Sequence, residues 1–351
     1  MTAQQGAIGP SAASAAAAAP LLRVRDLSVE YRLDGGPVRV VDGVSFDIRR
    51  GERFGLVGES GSGKSSLAQA LPRLLLPPAL ITGGHVRFDG QDLLALDEHR
   101  LRAVRGRGLA LVPQSGMNAL NPLLAVGAQI ADAIRAHQAI AGSEVRARVE
   151  EALTRVGLDP AHARSFPHQL SGGMRQRAVI AIALALRPAL LILDESTAAL
   201  DMLVQQQLLD QLSALQTQLG FAVLFISHDL PLTLSWCQRV GVLYAGRLVE
   251  TATAAQLAVT PQHPYTQGLM RCFIDPRAPR PAELHGIPGL PPDPRQLPPG
   301  CPFHPRCPAA FDRCPRERPP LIPLARPPAS PLAGEDPGAN VERQAACHLV
   351  S

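Results

Sequence analysis

At 351 residues the chain is long enough for one large domain and a smaller second one. Hydrophobic residues make up 46% of it, enough for a folded core although alanine supplies much of that share, and a formal net charge of only +4 argues against the strongly basic face of a nucleic-acid binder. No run of about 20 strongly apolar residues occurs, so the chain is not expected to cross a bilayer by itself and any membrane link must run through a partner.

Residues 1–20 lack the basic start and Leu/Val-rich centre of a signal peptide; Ala and Ser dominate, which predicts a disordered tail. Leu21 to Leu33 and Val38 to Ile48 read as strands joined by a Gly35-Gly36-Pro37 turn. Arg53 to Val57 is a short apolar strand that enters a glycine-rich loop, and a helix is expected from Lys64 to about Leu75. His85 to Gly90 and Leu109 to Gln114 read as further strands. From about Val126 to Arg187 the pattern is helical: Val145, Val149, Leu153 and Val156 recur at helical spacing, with Ser143 available as an N-cap. β-type runs return at Leu190 to Leu193 and Ala222 to Ile226, separated by a Gln- and Leu-rich helix. The alternation predicts a parallel α/β core with an inserted helical subdomain. Pro276 to Pro331 holds more than half of the chain's 34 prolines, so helices and central strands are not expected there. It reads as an irregular appendage ordered by something other than a large core.

Gly58-Glu59-Ser60-Gly61-Ser62-Gly63-Lys64-Ser65 satisfies the P-loop pattern in full. Glycines let successive backbone N–H groups curl around phosphates while the following helix points its positive end at them. Lys64 is expected to reach the β- and γ-phosphates of a nucleotide, the Ser65 hydroxyl to ligate Mg²⁺, and Ser66 to belong to the same site. Leu190-Leu191-Ile192-Leu193-Asp194-Glu195 is an apolar strand ending in two carboxylates. Such an ending is a weak signal alone and a strong one downstream of a P-loop. Asp194 would hold Mg²⁺, directly or through water, and Glu195 would polarise an attacking water. Phe225-Ile226-Ser227-His228-Asp229 repeats the arrangement, with His228 placed to bond the γ-phosphate and that water.

Leu170-Ser171-Gly172-Gly173-Met174-Arg175-Gln176-Arg177 opens a helix with Ser and two glycines, which exposes backbone N–H groups to an anion. With the P-loop it closely resembles the signature sequence of ABC-type ATPases, and the similarity covers roughly residues 21–270. The resemblance implies that Tyr31 stacks on adenine, that Gln114 is the Q-loop glutamine and a Mg²⁺ contact, that Asp201 is the D-loop aspartate and that His228 is the switch histidine. It also implies a dimer of ATPase subunits, identical or paralogous, in which Ser171, Gly172, Gly173 and Gln176 of one complete the ATP site of the other. Closure on ATP and reopening after hydrolysis would drive the work stroke. The antiparallel strands would form a β subdomain and residues of about 120–187 the helical one.

Gln114 to Pro122, His263-Pro264-Tyr265-Thr266, Ile287-Pro288-Gly289 and Gly300-Cys301-Pro302-Phe303-His304-Pro305-Arg306-Cys307-Pro308 resemble the oligopeptide/dipeptide importers and the related nickel-uptake group. The implied chain is an ATPase domain at 21–270 followed by an importer-type extension at 271–351. It would sit on the cytoplasmic face of the inner membrane, bound to permease subunits and serving an extracytoplasmic binding protein indirectly. The cargo implied is a short peptide, with nickel or another solute as the alternative; an ABC ATPase acting on nucleic acid or a metal-dependent regulator fits the residues less well. Ser196 and Ala198 depart from the usual Pro and Thr of the family, but both carboxylates remain, so hydrolysis is expected.

Six cysteines are unevenly placed: Cys237 and Cys272 are isolated, whereas Cys301, Cys307, Cys314 and Cys347 fall late. In a reducing cytosol such a group suggests metal more than disulfides. The spacing is not the CxxC of zinc ribbons, and iron–sulfur sites accept looser spacing. The importer resemblance implies a [4Fe–4S] cluster, ahead of zinc or of free thiols.

Overall fold

A computed structural model describes residues 19–114, 116, 119–197, 200–272, 286–324 and 343–350. Most of the expected tail, Ser115, Met117, Asn118, Ala198 and much of the extension lie outside the described residues.

The N-terminal strands β1 (Leu22–Leu33), β2 (Gly36–Ile48), β4 (Ala79–Phe88) and β5 (Gln91–Asp92) form an antiparallel sheet in the order β2-β1-β4-β5. Buried positions in β1 run Leu22, Val24, then Leu27 and Val29, a shift from even to odd numbers. A one-residue slip would normally turn the second pair to solvent. The pairing with β2 breaks between Val24 and Leu27, and Asp26 takes a positive φ of 50°, so a bulge absorbs the extra residue and keeps all four on one face. The same bulge explains why β4 starts six residues before the expected His85. Ser28 pairs with Gly83, and a Cβ on Gly84 would lie 2.6 Å from the Arg25 and Asp26 backbone. Glycine lets the strand pass over the bulge.

The larger sheet has the order β11 (Ile322–Pro323), β12 (Gln344–Ala345), β10 (Arg247–Thr253), β9 (Arg239–Tyr244), β3 (Arg53–Val57), β8 (Ala222–Ser227), β7 (Leu190–Asp194), β6 (Leu109–Val112). Strands β3, β6, β7, β8 and β9 run parallel. β7 and β8 are buried at every position, which is why their sequences are unbroken apolar runs. Helix α1 (Lys64–Ala70) follows β3 and ends five residues earlier than the sequence pattern suggests. Leu71 is still helical (φ −56°, ψ −50°), but Pro72 has no N–H to make the next intrahelical bond and so ends the ladder. Arg73 then turns left-handed (φ 54°), and Leu74 N–H reaches back to Gln69 C=O at 2.8 Å to close the end.

After α2 (Glu98–Val104), the helical subdomain comprises α3 (Val126–Arg135), α4 (Gly142–Arg155), two short 3₁₀ turns and α5 (Gly172–Leu184). Val145, Val149 and Leu153 face inward as their spacing predicts. Ser143 does not cap α4: the helix starts at Gly142 with Ala141 at the cap position, which leaves Ser143 inside the first turn. α6 (Met202–Leu219) is the expected Gln- and Leu-rich helix, capped by the Asp201 carboxylate and by left-handed Gly220 (φ 71°).

Sequence reading assigned no element to α7 (Leu230–Trp236), β10 (Arg247–Thr253), α8 (Ala254–Val259) or α9 (Pro264–Arg271). These elements receive the extension. β12 (Gln344–Ala345) pairs with β10 on one side and with β11 (Ile322–Pro323) on the other. Phe303 is buried in the main core, its ring 5.2 Å from that of Tyr244 and 5.4 Å from that of Tyr265. The extension is thus held by the core of the preceding domain rather than by one of its own.

His263 sits beneath this junction, wholly buried, with Nδ1 accepting the Tyr265 N–H at 3.1 Å. Burial drives its imidazole down to about 4, against the opposing pull of its bond to the Ala346 backbone. The folded-state value lies below the ordinary 6.5, so the contribution to stability is complete above pH 6.5 and drains away as pH falls toward 4. The loss is on the order of 3 kcal/mol. The thermal midpoint is expected to drop across that window, and His263→Gln should remove this part of the slope.

Candidate functional site

Two strands fix the loop between β3 and α1. A Cβ on Gly58 would lie 2.2 Å from Leu243 O, and one on Gly63, already at φ 99°, would lie 2.3 Å from Val40 O. β9 and β2 therefore press on the loop from both sides, and only glycine permits the approach. Lys64 follows, 4% exposed, with Nζ donating to Gly58 O (2.8 Å) and Glu59 O (2.9 Å) and standing 3.7 Å from Glu195 Oε1. Burial pushes its ammonium down, while Glu195, Asp194 and Glu59 hold it up.

The parallel order β3-β8-β7 brings the strand tips to this lysine. Ser65 Oγ donates to Asp194 Oδ1 at 3.1 Å. Burial raises the Asp194 carboxyl to about 6; Glu195 adds to the shift, and Ser65 and Lys64 oppose it. An acid so placed accepts a cation readily, because a cation offsets the cost of its burial. Glu195 sits in a left-handed backbone conformation (φ 45°). Its Oε2 accepts from Gln114 Nε2 at 2.6 Å and lies 3.8 Å from His228 Nδ1. The hydroxyls of Tyr31 and Ser66 are 3.1 Å apart. Among the described residues Ser62 Oγ and Ser196 Oγ are buried without a hydrogen-bond partner. A cleft of about 510 Å³ joins Tyr31, the loop, Ser65, Ser66, Gln114 and Glu195; ligand sites commonly fall between about 300 and 1,000 Å³.

Other expected residues lie apart from this cleft. Ser171 caps α5 by accepting the Met174 N–H at 3.3 Å, and Asp201 caps α6 by accepting the Val204 N–H at 3.0 Å. A Cβ on Gly173 would lie 3.2 Å from a Val204 methyl, so these two helix starts are neighbours. Ser171, Gly172 and Gly173 are not buried. Gln176, expected beside them at a partner's nucleotide, is instead buried under Gly116. Exposed Met202 and Leu203 follow Asp201.

Sequence reading gave no role to Asp293, Pro294 and Arg295, which line the cleft from the extension. Nor did it assign one to Tyr265, whose hydroxyl accepts the Glu59 N–H at 2.9 Å, or to Arg306, whose fork grips the Glu59 carboxylate. Their segments were recognisable by resemblance, but a proline-rich stretch carries no periodicity that would place a side chain.

Cys301 and Cys314 are joined by a backbone bond, Cys301 N–H to Cys314 O at 2.8 Å. Burial raises the Cys301 thiol to about 11, and the charges of Cys347, Cys314 and Cys307 add to the rise, so the four late cysteines share one neighbourhood. Among the described residues no three His, Cys, Asp or Glu side chains meet as a metal-ligand group. The cysteines are gathered but not closed.

Residues 41–198 match the family model of the ABC transporter, and residues 249–314 that of the oligopeptide/dipeptide transporter, C-terminal region. A putative peptide import ATP-binding protein of Brucella abortus (strain 2308) is 45% identical over 305 residues, which cover 86% of this chain and 91% of that protein. The chain belongs to the ABC transporter ATP-binding proteins. Within that family it is similar to the oligopeptide transport ATP-binding protein OppD of Bacillus subtilis (strain 168), at 41% identity over 81% of this chain and 80% of the relative. Among solved structures it is similar to a dimeric ATP-binding cassette in a post-hydrolysis state bound to ADP and Pi, with a TM-score of 0.60 and 28% identity over 66% of this chain and 98% of that one. It is also similar to cbiO1 from Clostridium perfringens, part of the ABC transporter complex cbiONQ, with a TM-score of 0.58 and 27% identity over 68% and 90% of the two chains. As an ABC ATPase this chain binds and hydrolyses ATP. Among the described residues no helix is long and apolar enough to cross a membrane.

Gly63→Ala is expected to raise the ATP dissociation constant at least about tenfold, equivalent to about 1.4 kcal/mol, because loop and β2 must part. Gly61, with open space around its Cβ position, should tolerate alanine better. Titration with a fluorescent ATP analogue would show the order.

Proposed function

We propose that this ATPase powers the uptake of short peptides through a membrane permease. The supporting observation is the convergence of Lys64, Gln114 and His228 on the Glu195 carboxylate, beside the Asp194–Ser65 pair. The cargo is supported by relatives whose names specify peptide import and oligopeptide transport and by the matching C-terminal region.

In this reading Tyr31 stacks on adenine, while residues 58–66 wrap the triphosphate with their backbone N–H groups. Lys64 leaves the Gly58 and Glu59 carbonyls for the phosphate oxygens. Ser65, Asp194 and Gln114 would hold Mg²⁺, which would supply positive charge to offset that of the polyphosphate. Glu195 takes the proton of the water that attacks the γ-phosphorus, His228 steadies that water, and the bond to the β-γ bridging oxygen breaks. Ser171, Gly172 and Gly173 would serve the nucleotide of a second ATPase subunit, identical or paralogous, with Asp201 at the contact and exposed Met202 and Leu203 covered by it. The ATPase domain would span 21–270 and the extension 271–351. The complex would work at the cytoplasmic face of the inner membrane and receive peptide from an extracytoplasmic binding protein.

Cys301, Cys307, Cys314 and Cys347 would carry a [4Fe–4S] cluster, with zinc as the alternative. The donor type supports this reading: four thiols that raise one another's charge cost would gain from a cationic centre, and binding would have to draw them together, since among the described residues no three meet as a ligand group. Such a centre would supply rigidity to a segment with little apolar core of its own. Anaerobic purification should give a brown protein with iron and sulfide near four each per chain; colourless, fully folded, iron-free protein would refute the cluster.

For the ATPase, Glu195→Gln should keep ATP affinity while turnover falls by a factor of about 10² or more. Retained turnover would remove Glu195 from the reaction. Reconstitution with the permease that copurifies from solubilised membranes, followed by ATP-dependent uptake of labelled di- to pentapeptides, tests the cargo.

A further inference from the structure

Glu59 presents an electrostatic problem. It is the second residue of the phosphate loop, and its carboxylate acts at charge range on Lys64, the residue that faces the polyphosphate. A carboxylate so near would repel an incoming nucleotide, and the repulsion would be greater for ATP than for ADP. Its charge is met from the far end of the chain. Arg306 Nη1 and Nη2 bond Glu59 Oε2 and Oε1 at 2.7 and 2.9 Å, a two-pronged pairing that fixes the carboxylate plane. Other donors and the face of Arg306 are used as well: Nε bonds Pro288 O at 2.8 Å, Nη1 also reaches the Tyr244 hydroxyl at 3.3 Å, and the guanidinium lies over the Tyr244 ring, 5.9 Å from its centre. The arginine is 6% exposed, so it is buried and fixed from several directions. At the other end of the same residue, the Glu59 N–H is held by the Tyr265 hydroxyl.

We infer that Arg306 is a positioning residue of the ATP site, one that cancels the Glu59 charge and sets the loop so that the extension completes the phosphate cradle within its own chain. The inference rests on the P-loop reading above and adds to it a part of the site outside the ATPase motifs. A simple fastener between extension and domain would show the same contacts, and charge tells the two apart. If Arg306 cancels a repulsion, removing Glu59 as well relieves the defect. If it only fastens, removing either partner breaks the bolt and removing both restores nothing.

The test is ATP and ADP affinity of the full-length protein by calorimetric titration. Arg306→Met, which retains most of the packing volume, should weaken ATP about tenfold, or about 1.4 kcal/mol, and ADP less. Glu59→Gln in the Arg306→Met background should return ATP affinity to within about threefold of the parent, and Glu59→Gln alone should tighten ATP relative to ADP. The inference is overturned if Arg306→Met binds ATP within about twofold of the parent, or if the double variant is as weak as Arg306→Met. Should Arg306→Met fail to fold, Glu59→Gln alone decides: tighter ATP binding supports charge cancellation, and weaker binding overturns it. Lys64→Ala is the control, since retained nucleotide affinity there would sink the P-loop reading itself, whereas a negative Arg306 result with Lys64→Ala inactive would sink only this inference.

Discussion

A buried ammonium surrounded by oxygens is the constraint that organises this molecule. Lys64 cannot be left alone in so dry a place, and the chain meets its charge with two backbone carbonyls and three carboxylates drawn from the loop and from β7. That need explains the strand order. β3 delivers the loop, and β8 and β7, running parallel beside it, deliver His228, Asp194 and Glu195 at the same edge. It also explains why β2 and β9 crowd the glycines: their backbones keep the loop from relaxing away from its lysine. In the proposed reading a bound polyphosphate would exchange one set of oxygens around the ammonium for another, a replacement rather than a rebuilding.

Much of this was legible in the sequence, because the features that carry it are periodic or locally dictated. Continuous apolar runs at Leu190 and Ala222 announce strands covered on both faces, and the glycine spacing of the loop announces close backbone approach. Two of the places where the reading fell short, at Gly83-Gly84 and at Gln176, involve a partner distant in sequence. The strand expected from His85 begins at Ala79, because Gly83 and Gly84 pass over the bulge at Asp26. Ser143 looks like a cap, but the helix begins one residue before it and leaves it no exposed N–H groups to bind. Gln176 belongs to a recognisable motif, yet the segment around Gly116 covers it. The hydroxyl of Ser196, at a position where the family usually has proline, is buried and, among the described residues, unpartnered beside Glu195, and nothing in the structure explains that choice.

The proline-rich segment shows how a chain with few apolar residues acquires a fixed shape. It contributes Phe303 to a cluster of rings supplied by β9 and α9 and an arginine to an existing carboxylate, while the residues after it add the short strand β12 to the β10 edge. Each contact uses a surface that the preceding domain had already organised. The cysteines occupy the same neighbourhood, which places any chemistry at their sulfurs on the element that carries Arg306.

The chain separation of the Glu59–Arg306 pair sets an order of events during synthesis. The two residues are 247 positions apart, and at roughly 5–20 residues per second the ribosome needs about 12–50 s to pass from one to the other. Throughout that interval the phosphate loop carries an acid whose counter-charge has not been made. The nascent subunit is therefore poorly suited to grasp nucleotide while its fold is still emerging, and the ability matures only once the extension carrying Arg306 has been made.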